Sequence, residues 1–336
     1  MLRKGICAAG NLIADIMHHI ERYPKNGELT TILGARETTV GGLACNTALS
    51  LSMLDPDLPV QVCGILGDDM EGRFIRARFL EHSSIDTSRI IVGGQTAYTL
   101  VMNDNESRQR TFFTSCGSGS QFDVDSIDLH LLPSRILHAG YILLLDALDG
   151  EDREYGTRMA RLLHNAQQLG IRTSVDVVTE TGDRFRRLVP PALKYTDYCV
   201  INELEAQQVT GVSLRSDSGT LLTENMRDAL FSLRRFGVST WAAIHCPEGA
   251  YGLDRQGTFV SLPSLKLPPG FIKGTTGAGD AFCAGTLYGA HEGWTLKDAL
   301  RLGTATAACS LNSKDSYSTI KSAPEAMAFY LEMGGE

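Results

Sequence analysis

Two kinds of apolar pattern alternate along the second half of the chain. Residues 136–145 are apolar at almost every position, as in a strand covered on both faces. Behind them Tyr155, Met159, Leu162, Leu163, Ala166 and Leu169 recur at helical spacing and predict a helix that Gly170 ends. Residues 172–178 read as the next strand and 198–201 as another. A helix from Glu203 follows, then a helix over about 224–235, then a strand at 241–245. Strands separated by helices predict a mostly parallel sheet with helices on both faces. Such sheets bind ligands at the carboxyl ends of their strands.

The first third differs. Residues 6–15 read as one strand with Asp15 at its end. The chain to about residue 40 lacks a helical period and holds Thr-rich, strand-like pieces. Residues 96–103 and 110–114 read as a hairpin around Asp104-Asn105-Glu106-Ser107. These pieces predict a small β sheet against the α/β body, either a lid or a plain extension, from segments at about 15–40 and 95–115. No internal repeat interrupts the chain, and residues 1–336 are read as one domain.

Composition narrows the function classes. The 336 residues are 43% hydrophobic and 21% charged, an ordinary globular balance. Thirty-one Lys and Arg against 39 Asp and Glu give a formal charge of −8, with no basic run, which argues against nucleic acid as partner. No apolar stretch reaches the ~18 residues of a membrane-spanning helix. The first residues carry no signal-peptide core. Eight scattered cysteines without a C-x-x-C pair read as mostly buried free thiols in a reducing, cytoplasmic compartment. The 34 glycines, one residue in ten against a usual ~7%, point to tight turns and to backbone close to a ligand.

The segment 273–285 carries the sharpest chemistry. Gly277, Ala278 and Gly279 lead into a helical composition at 281–290 and would present backbone N–H groups at a helix N-terminus, an anion site. Asp280 beside them is either a helix cap or a base that takes a hydroxyl proton while the amides hold phosphoryl oxygens. The segment is neither G-x-x-x-x-G-K-[ST] nor G-x-G-x-x-G.

This segment resembles the D-T-x-G-A-G-D signature of the ribokinase-like, or PfkB, family of carbohydrate kinases, except that Gly274 stands at its first position. The similarity runs essentially end to end. It implies a doubly wound, mostly parallel sheet flanked by helices, with a small β-sheet lid. It also implies Asp280 as catalytic base, a Gly277–Gly279 anion hole, and Thr275 and Thr276 beside the nucleotide. Val40-Gly41-Gly42-Leu43-Ala44-Cys45-Asn46-Thr47-Ala48 resembles the family's G-G-x-x-x-N-x-A element. With Asp15 it implies a site for sugar hydroxyls at Asp15, Gly41, Gly42 and Asn46; alone, the glycines would be a turn and Asn46 a helix-surface amide. Residues 63–72 resemble G-x-x-G-x-D-x-x-G and read as a strand-to-helix turn. Asn202-Glu203-Leu204-Glu205 resembles N-x-x-E, which implies that Asn202 and Glu205 hold magnesium, through water. In isolation the pair would be a capping box.

The match frays at four places. Gly274 lacks the aspartate that relatives associate with a monovalent-cation site, which predicts little dependence on potassium. At 245–249 only Gly249 fits T-x-G-x-x-G, leaving it as the adenosine-side residue. Residues 178–181 replace Asn-x-Arg, and Asp146 lies near a region where some sugar kinases place a substrate carboxylate. His18 and His19 read as exposed lid residues, and Arg184, Arg186 and Arg187 as a solvated helix face. The resemblance implies ATP, magnesium and a small sugar or sugar-like acceptor, and allows a homodimer through the lid. A nucleoside kinase of the same family and a non-catalytic sugar-binding sensor are the alternatives. Aromatic residues in the pocket, such as Tyr98 or Phe113, would favour a nucleoside.

Overall fold

Strands in the apolar runs are covered on both sides because alternate residues enter two different cores. Ile6 and Ala8 point into one, Cys7 and Ala9 into the other. The computed structural model, which describes residues 3–180 and 182–336, assembles these runs into a ten-stranded sheet. Its order is Phe259–Pro263, Gly249–Asp254, Trp241–Cys246, Tyr198–Asn202, Arg172–Val177, Ile136–Ile142, Ile6–Gly10, Val60–Leu66 and Ile85–Asp86, with Ile90–Val92 also on Val60–Leu66. Every pairing from Trp241–Cys246 through Ile85–Asp86 is parallel; the two strands at the other edge run antiparallel.

Helices cover both faces. Met159, Leu162, Leu163 and Ala166 of the helix Arg158–Gln168 pack into one core beside Phe185–Leu193 and Met226–Phe236. Leu43–Leu54, Met70–Leu80, Ala278–Glu292 and Leu296–Ser310 fill the other face. Asp69 starts Met70–Leu80 as the turn at 63–72 requires, accepting from the Gly72 N–H at 2.8 Å. A separate four-stranded sheet runs Ile32–Gly41, Ile13–Ile20, Ala97–Asp104, Arg110–Ser115. Among the described residues no helix is long and apolar enough to cross a membrane.

Several boundaries depart from the sequence pattern for local reasons. The run at 6–15 is two strands, so Asp15 sits within the second strand, on the small sheet, and not at the end of the first. Gly10 has φ 132, and a Cβ there would overlap the Gly140 carbonyl. The chain changes sheets at this point, with the Asn11 N–H donating to that same carbonyl at 3.3 Å. The strand at 136–145 stops at Ile142, because the Leu143 and Leu145 N–H groups turn to the Asp149 carboxyl. Tyr155 precedes its helix, which Thr157 caps, and stacks instead on His164. His18 and His19 are half-buried rather than exposed. Six of the eight cysteines are buried and free; Cys116 and Cys246 are half-exposed.

Gly10→Ala combines a left-handed backbone with a buried overlap. It should destabilise the fold by about 2–4 kcal/mol, read as a fall in the urea midpoint at unchanged slope.

Candidate active site

Tyr141, Asp176, Asn202 and His245 lie at the carboxyl ends of four successive parallel strands. The helix Ala278–Glu292 begins against this rim with Gly277 as its N-cap. Gly277 has φ 75, and a Cβ there would overlap the Ser316 side chain, so only glycine fits. No side chain caps this helix end. First-turn N–H groups lack partners inside a helix, and the dipole adds positive potential there. Ala278 is a partial exception, since its N–H reaches the Thr275 carbonyl at 3.4 Å.

Asp280 lies inside the first turn and is 4% exposed, so the cap reading does not hold. Its Oδ2 accepts from Asn46 Nδ2 at 2.8 Å, and the Tyr141 hydroxyl donates to both carboxyl oxygens at 2.7 Å. Burial pushes this carboxyl up to about 6, tempered by those two donors. Asn46 is likewise no surface amide. It is buried on Leu43–Leu54, and its Oδ1 accepts from Ser316 Oγ at 2.6 Å. Ser316, Asn46, Asp280 and Tyr141 thus form one hydrogen-bonded chain.

The small sheet brings Asp15 to the same place. A Cβ on Gly41 would overlap the Asp15 carboxyl, and one on Gly42 (φ 82) would meet the Asn11 carbonyl at 2.6 Å. The paired glycines therefore let two strands close around this carboxylate. Burial pushes Asp15 up to about 6; the Thr99 hydroxyl opposes that shift, and Asp280 adds to it. A cleft between sheet and body is lined by Asp15, Met17, Thr39, Arg110, Phe112 and Thr276. Thr275 and Thr276 are exposed. Phe112 is the aromatic residue of the cleft, whereas Tyr98 packs on the core.

Asn202 and Glu205 make both bonds of a capping box: the Glu205 N–H donates to Asn202 Oδ1 at 2.9 Å and the Asn202 N–H to Glu205 Oε2 at 3.0 Å. Glu205 Oε1 also accepts from Thr179 Oγ1 at 2.8 Å. Thr179 belongs to the divergent stretch 178–181, of which Thr181 lies outside the described residues. Glu205 is buried and pushed up to about 7, with Asp280 adding to the shift. Burial raises Asp176 strongly, and Glu205 and Asp280 raise it further. No basic side chain offsets the three carboxyls among the described residues. Among the described residues no three His, Cys, Asp or Glu side chains are grouped closely enough to hold a metal ion directly, so a hard divalent cation here would keep its water shell and be held through water.

The remaining sequence candidates fall elsewhere. Gly249 closes a hairpin beside Cys246, and a Cβ on it would overlap the Leu262 carbonyl, which is a packing reason for glycine. At Gly274 a Cβ would lie 2.6 Å from the Ser313 carbonyl, so an aspartate there needs the chain at Ser313 to move. Asp146 is exposed. Arg186 and Arg187 are exposed, while Arg184 binds Glu180 and the Leu143 carbonyl.

Tyr141, Asp176, Ser316 and His245 were not singled out as site residues by sequence. Tyr141 was hidden inside an apolar run. His245 packs on Phe282 and would lie 3.2 Å from a Cβ on Gly279; burial lowers its pKa to about 4, so it is neutral.

Residues 5–323 match the family model described as pfkB family carbohydrate kinase, and the chain belongs to that family. It is 25% identical over 334 residues to mouse ketohexokinase, covering 94% of this chain and 99% of that one. It is 25% identical over 253 residues to aminoimidazole riboside kinase of Salmonella typhimurium, covering 74% and 72%. The solved structure of Arabidopsis thaliana ribokinase complexed with ribose and ATP superposes with a TM-score of 0.77 at 19% identity, covering 98% of this chain and 99% of that one.

Proposed function

We propose that this kinase transfers the γ-phosphoryl group of ATP to a hydroxyl of a small sugar or sugar-like acceptor. The observation that carries this reading is the placement of Asp280. It is buried, held by two donors, adjacent to a helix N-terminus, and within electrostatic reach of Asp15 in the cleft. The acceptor's hydroxyls bind at Asp15, Gly41, Gly42 and Asn46. Asp280 takes the proton of the reacting hydroxyl as that oxygen bonds to the γ-phosphorus. The bond to the β–γ bridging oxygen breaks, and ADP leaves. The Gly277 and Gly279 amides hold the oxygens of the migrating group, with Thr275 and Thr276 beside them. Asn202 and Glu205 would hold magnesium through water, and the ion would supply charge neutralisation on the nucleotide phosphates. Catalysis of this kind rests on positioning and electrostatics. Closure of the small sheet would keep out water, the competing acceptor.

A second reading has one observation of its own. Phe112, 61% exposed in the cleft, offers a stacking face to a nucleobase. The Salmonella relative is named as a riboside kinase, so a nucleoside is the alternative acceptor.

Asp280→Asn keeps the shape of the carboxyl and loses proton acceptance. We expect kcat to fall at least about a hundredfold with ATP binding retained. Near-native turnover would remove Asp280 from the mechanism. Glu205→Gln should raise the magnesium concentration for half-maximal rate by about ten- to a hundredfold. An unmoved magnesium titration would leave the residue with its capping role alone.

A further inference from the structure

We infer that Tyr141 is a positioning residue for the transfer: its phenol fixes the Asp280 carboxylate so that Oδ1 is the atom that receives the acceptor's proton. The inference rests on reading Asp280 as the base.

The geometry is specific. Oδ2 accepts from both Asn46 Nδ2 and the Tyr141 hydroxyl, whereas Oδ1 accepts from Tyr141 alone. A carboxylate oxygen has two lone-pair positions. The single phenol proton is shared between the two oxygens, so Oδ2, which also holds Asn46, is the more fully occupied, and Oδ1 keeps room for an incoming hydroxyl. Without the phenol, only Asn46 would restrain the carboxyl, and rotation could exchange the two oxygens.

The phenol is itself held in place. The Tyr141 N–H donates to Asn11 Oδ1 at 2.8 Å, and Asn11 Nδ2 donates to the Leu144 carbonyl at 3.0 Å. Asn11 is the residue at which the chain passes from the large sheet to the small one. The aim of the base is thus tied to the joint between body and lid. Burial beside Asp280 and Asp176 raises the Tyr141 hydroxyl, which keeps it protonated and a donor.

The groups facing Asp280 define the pH signature. Asp15 comes from the small sheet, Asp176 from its parallel strand and Glu205 from the following helix. His245 is neutral, and the Cys45 and Cys283 thiols are held protonated by burial. Burial opposes ionisation of Asp280, whereas Tyr141 and Asn46 favour it; its charge in turn raises the three acids. Removing the phenol hydroxyl must then raise the Asp280 pKa. The active form is the anion, so the acid limb of the rate profile must move to higher pH.

The test is the pH profile of kcat, and of KM for acceptor and ATP, for wild type, Tyr141→Phe and Asp280→Asn. Tyr141→Phe should lower the high-pH plateau of kcat by about tenfold, because the ionised carboxylate loses its aim, and shift the acid limb upward by about one unit. KM for ATP should stay within about twofold. A wild-type plateau at high pH, or an unshifted limb, would overturn the inference. If Tyr141→Phe fails to fold, 3-fluorotyrosine at position 141 retains the ring and strengthens the donor, and must move the limb to lower pH; no movement counts against the inference equally. Near-native turnover of Asp280→Asn would instead sink the reading of the base itself.

Discussion

The site depends on a buried carboxylate that the fold must keep ionisable. Asp280 is removed from water, which opposes its charge, and its charge in turn raises Asp15, Asp176 and Glu205. What favours the charge is a helix N-terminus and two neutral donors, Asn46 and Tyr141. These come from separate parts of the chain. The helix Leu43–Leu54 supplies Asn46, a strand end supplies Tyr141, and the loop at Ser316 locks Asn46 from behind. A buried polar group left without partners costs roughly 1–3 kcal/mol, so these elements must be assembled together or not at all.

The same constraint governs the joint between the two sheets. Gly10, Gly41 and Gly42 allow backbone to pass where any side chain would overlap the Gly140 carbonyl, the Asp15 carboxyl or the Asn11 carbonyl. Asn11 then binds the Tyr141 amide from that joint. Asp15 on the small sheet senses the charge of Asp280 on the helix Ala278–Glu292. The cleft is walled by the small sheet on one side and by Thr276 and residues 314–316 of the body on the other, so it changes shape when either side moves.

Much of this was legible in the residues. Helical spacing and apolar runs gave a parallel sheet with two covered faces, because burial on both sides leaves few polar positions in a strand such as 136–142. The glycine-rich run before Asp280 and the paired glycines at 41–42 marked a helix N-terminus and a close approach of backbone to Asp15, since these positions have a backbone or packing need that a sequence displays. What escaped was long-range. Tyr141 reads as one more apolar residue until its hydroxyl is placed against a carboxyl 139 positions away. Ser316 and Asp176 carry no local signal, and the break between Gly10 and Ile13 is invisible because both halves are apolar and strand-forming. The capping box at Asn202 and Glu205 shows the opposite case: a local pattern is fulfilled in full, and the buried acids around it supply the reason to look further.

The central claim is that a sugar hydroxyl, set against Asp280, accepts a phosphoryl group from ATP. Its most direct test is ADP release by the wild-type protein with magnesium and ATP, over a panel of free sugars, sugar acids and nucleosides, with the phosphorylated product identified by mass. The account predicts that at least one sugar or sugar acid drives ADP release far above the rate without acceptor and gains one phosphoryl group. Turnover with nucleosides alone, or ATP binding with no acceptor consumed, would contradict it.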